Sequence, residues 1–179
     1  IASHAGMTGV FRLRGADVYR VDAVTEVYRT SLTPAAASAS SLAQLRCCIE
    51  RLSTATDLAS LLDTLLDSLR VVFDIRHSMV LMREPTGEAL HTVASRGYAA
   101  SGATRLGVTA GIDSAIPFPG LPESQSQVAV PIVAGERLLG VLFAESTETG
   151  RFGYDEEDAL VVLARHVGTV AAMLEEGEA

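Results

Sequence analysis

Val130-Pro131-Ile132-Val133-Ala134-Gly135-Glu136-Arg137-Leu138-Leu139-Gly140-Val141-Leu142-Phe143-Ala144-Glu145-Ser146 decides the fold of this chain. Two apolar runs rich in β-branched and aromatic residues flank Ala134-Gly135-Glu136, and such a pattern is a β-hairpin. The strands are read as Gln127–Val133 and Leu138–Glu145. Pro131 has no N–H to give to a ladder, so it marks an edge or a bulge.

Working outward, Glu148-Thr149-Gly150 is a turn, and Asp155-Glu156-Glu157 places acids where a helix dipole favours them. Leu160, Leu163, Ala164, Val167, Val170, Ala171 and Leu174 then give that helix its apolar stripe. Upstream, Ser78–Arg83 and Leu90–Ser95 form another hairpin around Pro85-Thr86-Gly87, with a short strand near Arg105–Val108. Residues 109–127 hold prolines, glycines and serines without a period and read as loop with one helical turn. Leu58, Leu61, Leu62, Leu65, Leu66, Leu69, Val72 and Phe73 recur at helical spacing after a Thr56 or Asp57 cap. Leu42, Leu45, Ile49 and Leu52 step by three and four along one more helix. In residues 10–21 a hairpin around Gly15-Ala16 competes with a short helix carrying Val21, Val24, Val27, Tyr28 and Leu32, and the helical spacing is preferred. The order of helices, antiparallel meander and helix predicts an α+β fold with helices on one face of a central antiparallel sheet. The domain plan is an extension and linker over 1–41, a lead-in helix over 42–55 and one domain over 56–176.

Composition narrows the function. The chain has 179 residues, 48% hydrophobic and 20% charged, enough to bury roughly 70% of its unfolded surface. A net charge of −8 argues against nucleic acid and anionic membrane as partners. No apolar run has membrane-spanning length and no signal peptide is visible, so a cytoplasmic location is expected. All 14 basic residues are Arg, which excludes a Walker A lysine and Schiff-base chemistry. The Arg, Ala and Val content suggests a GC-rich bacterial genome. Cys47 and Cys48 are adjacent and read as free thiols. His4, His77, His91 and His166 show no metal-ligand spacing, and no nucleophile elbow occurs, so neither a metal, a cofactor nor a catalytic residue is expected.

The Val130–Ser146 segment, followed by Phe152 and Asp155-Glu156, resembles the C-terminal half of a GAF domain. Asp57–Phe73 is similar to the family's first helix, and Ser78–Tyr98 to its first hairpin and Gly-Tyr loop. The resemblance covers residues 56–174. It implies a PAS-like sheet with helices on one side, a loop-covered small-molecule pocket on the other, and a sensory or regulatory role without catalysis. Cyclic-nucleotide-binding members carry an Asn-Lys pair after the strand matching Gly140–Ala144, where this chain has Glu145-Ser146. Bilin-attaching and methionine-sulfoxide-reducing members need loop cysteines, and the two cysteines here lie upstream. An unidentified small ligand is the expectation, with a structural dimerisation module of closed pocket as the alternative.

Arg96, Tyr98 and Arg105 flank the most irregular loop, where guanidinium groups can hold an anion. With Asp113, Ser114 and Phe118 of the 97–118 loop they form the candidate ligand set. Leu42, Leu45, Ile49 and Leu52 fall on a and d heptad positions. Together with Leu163 and Val167 they form the candidate seam of a homodimer, with Cys48 beside the partner helix.

Overall fold

The computed structural model describes residues 8–10, 18–22, 28–30, 39–85, 89–98, 105–107, 115–117, 121 and 123–178. Among them the chain forms β1 (Thr8–Val10), β2 (Val18–Asp22), β3 (Tyr28–Thr30), α1 (Ala39–Leu52), α2 (Leu58–Phe73), β4 (His77–Arg83), β5 (Ala89–Arg96), β6 (Arg105–Gly107), β7 (Ala115–Pro117), β8 (Ser126–Ala134), β9 (Arg137–Ser146) and α3 (Tyr154–Glu178). Seven strands make one antiparallel sheet in the order β3-β2-β8-β9-β4-β5-β6, and β1 pairs with β7 apart from it.

The hairpin β8–β9 is the spine. Gly135 supplies the positive φ of +60° that its turn requires. Pro131 faces Val141, and the register shifts between Ile132 and Val133. On its other side β8 pairs with β2 only from Ser126 to Ala129. Pro131 therefore lies beyond the paired segment and beside a bulge, where its missing N–H breaks no ladder bond to β2.

α2 begins in a capping box: the Ser60 N–H donates to the Asp57 carboxylate at 2.8 Å, and the Asp57 N–H to the Ser60 hydroxyl at 3.4 Å. It ends at Asp74, whose φ of 52° is left-handed, with the Ile75 N–H returning to the Leu69 carbonyl at 3.0 Å. Buried Leu61, Leu62, Leu65, Leu66 and Leu69 are the stripe read from sequence.

Strand alternation assigns the two faces. Val80 and Met82 of β4, Val128, Val130 and Ile132 of β8, and Leu142 and Ala144 of β9 pack with the apolar stripes of α1, α2 and α3 in one continuous core. α3 lies so close to the sheet that a Cβ on Gly168 would collide with the Val133 carbonyl. The opposite face carries a smaller cluster of Met79, Leu81, Leu90, Ala129, Val141 and Phe143. The α+β arrangement, with helices on one face, is as expected.

Three readings are corrected. Val21 and Tyr28, read on a helix, lie on strands, while Gly15-Ala16 of the alternative hairpin lies outside the described residues. β2 and β3 pair with each other and extend the main sheet through β8, while β1 pairs with β7. Long-range pairing overrides the helical spacing of the valines. Thr8–Val10, Val18–Asp22 and Tyr28–Thr30 thus add strands to the sheets. The 109–127 region, read as loop with one helical turn, contains a strand, β7.

The third correction concerns the seam. Leu52, Leu163 and Val167 are fully buried in the chain's own core, and Leu45 and Ile49 pack against that core. Cys48 is buried with them, whereas Cys47 is exposed. Spacing shows that a stripe is apolar but not what covers it, and here α2, α3 and the sheet cover it. Of the six seam residues Leu42 is 56% exposed, and Leu45 and Ile49 are partly buried.

Candidate functional site

The smaller face ends in polar groups. Glu145 continues the row of Val141 and Phe143 along β9, opposite His77 on β4 and Gln127 on β8. Its side chain is held in place from two directions. The Leu121 N–H donates to Oε1 at 2.8 Å, and the Gln127 amide donates to Oε2 at 3.4 Å and to the Ser124 hydroxyl at 3.3 Å. Glu145 is 1% exposed, and among the described residues no cation pairs with it. A buried carboxylate without a counter-charge is costly unless something else meets it.

Tyr98 reaches the same place from the end of β5. Its ring meets His77 edge-on, centroids 5.7 Å apart, and packs against the Met79–Phe143 cluster. Its hydroxyl is buried beside the Glu145 carboxylate, with no other partner among the described residues. Burial pushes the phenol well above its ordinary range, and the neighbouring Glu145 carboxylate adds to the shift. Gly97 makes the approach possible: its φ is +87°, and a Cβ there would collide with the Arg76 carbonyl.

Beside Glu145 a cleft of about 130 Å³ opens at the end of the sheet, bounded by Asp74, Arg76, His77, Glu148 and Arg151. Arg76 donates to Asp74 at 3.2 Å. Arg151 donates to the Phe73 carbonyl at 2.6 Å and lies 3.5 Å from Glu156.

The candidate ligand residues do not all meet. Tyr98 lies in the polar group just described. Arg96 instead turns to the helix side, donating to Asp63 at 2.9 Å and to Asp67 at 3.0 Å on α2. Those hydrogen bonds, Asp63 first, raise its pKa and hold it charged. It is a clamp between β5 and α2, which corrects its reading as an anion-holding partner of Tyr98. Residues two apart on a strand share a face, but the turn at Gly97 sends Arg96 and Tyr98 to opposite sides. Arg105 opens β6, where its backbone faces His91. Asp113, Ser114 and Phe118 lie outside the described residues. Glu145, Gln127 and His77 were not picked out as site residues. The available signal was a carboxylate closing an otherwise apolar strand, Val141-Leu142-Phe143-Ala144-Glu145.

Among the described residues no helix is long and apolar enough to cross a membrane, and no group of three or more His, Cys, Asp or Glu is placed to hold a metal ion.

One antiparallel sheet with helices on one face and a small polar-ended cluster on the other defines a single-sheet, PAS-like α+β domain. The GAF-domain family model matches residues 57–172, and the chain belongs to that family. Solved structures agree on the fold. The GAF domain of a phosphoenolpyruvate-protein phosphotransferase from Coxiella burnetii is 18% identical, with a TM-score of 0.66 over 79% of this chain and 100% of that one. The free methionine-R-sulfoxide reductase of Neisseria meningitidis, solved with its substrate, is 19% identical, with a TM-score of 0.64 over 82% of this chain and 98% of that one. The bacteriophytochrome RpBphP3 of R. palustris is 14% identical, with a TM-score of 0.60 over 89% of this chain and 46% of that one. No curated protein matches the sequence.

Proposed function

We propose that this chain is a sensory or regulatory GAF module of a bacterial signalling protein. It binds a small ligand on the sheet face away from the helices and works in the cytoplasm without catalysis. The observation that carries the reading is the polar end of that face. A module serving only as a spacer gains nothing from a buried Glu145 that no described cation pairs, beside the buried Tyr98 hydroxyl, whereas a recognition site needs a few convergent polar groups above an apolar floor. The similar folds support it by occurring in a bacteriophytochrome and in a reductase solved with its substrate. Native mass spectrometry of gently purified protein tests it. The expected result is a small organic adduct that leaves on denaturation and is lost in Glu145→Ala. A bare mass throughout, together with an empty thermal-shift screen, favours a closed module.

Self-association is the second part of the proposal. Leu42 on α1 and Val162 and Met173 on α3 are exposed apolar side chains, and eleven residues along α3 return Met173 to the angular position of Val162. These take the place of the buried seam residues. Light scattering should report a dimer that Val162→Asp shifts towards monomer, and a monomeric wild type overturns this part.

A further inference from the structure

The cleft at the end of the sheet shares Glu145 with the polar cluster, and its charges do not balance. It is walled by the α2–β4 connection on one side and by the residues following β9 on the other. Its two guanidinium groups are already engaged, Arg76 by Asp74 and Arg151 by Glu156 and the Phe73 carbonyl. Glu145 and Glu148 are left without a cation among the described residues. Of these two, Glu145 is buried and immobilised by the Leu121 N–H and the Gln127 amide. A space of about 130 Å³ is several times what one water requires.

We infer that this cleft takes a small organic cation, a ligand bearing an ammonium or amidinium group whose N–H bonds meet the Glu145 carboxylate. The assignment rests on reading the domain as a ligand-binding module and names the chemistry of its ligand. An anion entering here would approach a buried carboxylate, with both guanidinium groups of the cleft already engaged. A metal ion would lack a third protein ligand among the described residues. An N–H cation satisfies the carboxylate through charge-assisted hydrogen bonds, the strong kind. Ile75 and Phe152 on the cleft wall suit an apolar stem behind the charged head.

The test is a titration of the ¹⁵N-labelled full chain with ethylammonium chloride and acetamidinium chloride, against sodium acetate at equal ionic strength. Both cations should shift the amides of His77, Glu145, Ser146 and Thr147 and saturate, and acetate should leave them unmoved. Glu145→Gln should raise the midpoint by about tenfold, the equivalent of ~1.4 kcal/mol, while Glu148→Gln changes it far less. Shifts caused by acetate, cations without effect on wild type, or an unchanged midpoint in a folded Glu145→Gln would each overturn the assignment. Should the cations fail while a co-purified molecule shifts the amides of Leu81, Val141 and Phe143, the cation class falls and the ligand-binding reading stands. Should neither bind, both fall.

Discussion

The two faces of the sheet are built from the same strands, one residue apart, and they do opposite work. The helix side is sealed: strand residues such as Val130, Ile132 and Leu142 meet the leucines of α2 and α3, and one continuous core results. The other side has six buried apolar residues and Tyr98, then passes into Glu145, Gln127 and His77. Alternation along a strand lets one segment serve both ends, since each step of one residue changes face. Stability can then be concentrated on one side and a destabilising polar group tolerated on the other, the usual trade at functional sites.

The largest effects should come from the sealed side. Leu163→Ala removes a fully buried side chain from the main core and should lower unfolding stability by about 2–5 kcal/mol in urea. Leu81→Ala in the smaller cluster should fall near the lower end of that range. A loss at Leu81 larger than at Leu163 would break the comparison. Arg96→Ala sharpens it, because Arg96 ties the end of β5 to α2 two residues before Tyr98 crosses to the other face. Its partners are half-exposed or more, so the expected loss is only about 1 kcal/mol, and it should shrink in high salt.

Two pH limbs probe the helix layer. Burial pushes the Cys48 thiol from 9.0 up to about 11. A raised folded value favours the neutral thiol, so its contribution is complete below pH 9 and is lost as pH climbs towards 11. Cys48→Ala should flatten that alkaline decline, and native protein at pH 8 should titrate one thiol, Cys47, with the second appearing on unfolding. The smallest effect is at Asp57, whose carboxylate is held below 3.8 chiefly by the Ser60 N–H. That contribution is present above the unfolded value and lost as pH falls through the folded one. The wild-type advantage over Asp57→Asn should therefore vanish at the acid end of an unfolding series.

Much of this was legible in the sequence, and the reasons are local. The β8–β9 hairpin carries its own turn, and α2 its own cap and stripe. Pro131 announced the limit of a paired segment. Val18–Asp22 misled because β2 joins the main sheet by pairing with β8, far along the chain. The α1 seam misled because a stripe of Leu45, Ile49 and Leu52 looks the same whether its cover is another copy or the chain's own α2 and α3. Tyr98 was legible as a loop residue after a glycine. Glu145 was not, since only the folded sheet shows that it is buried and that no described cation accompanies it.

The most direct measurement of the central claim is the melting temperature of ligand-free Glu145→Gln beside wild type. If Glu145 is a buried charge kept for recognition, the isosteric amide keeps an acceptor for the Leu121 N–H, removes the unpaired charge, and raises stability by ~1 kcal/mol, about 2–4 °C in a chain of this size. A fall of the same size would make Glu145 a structural anchor and contradict the account.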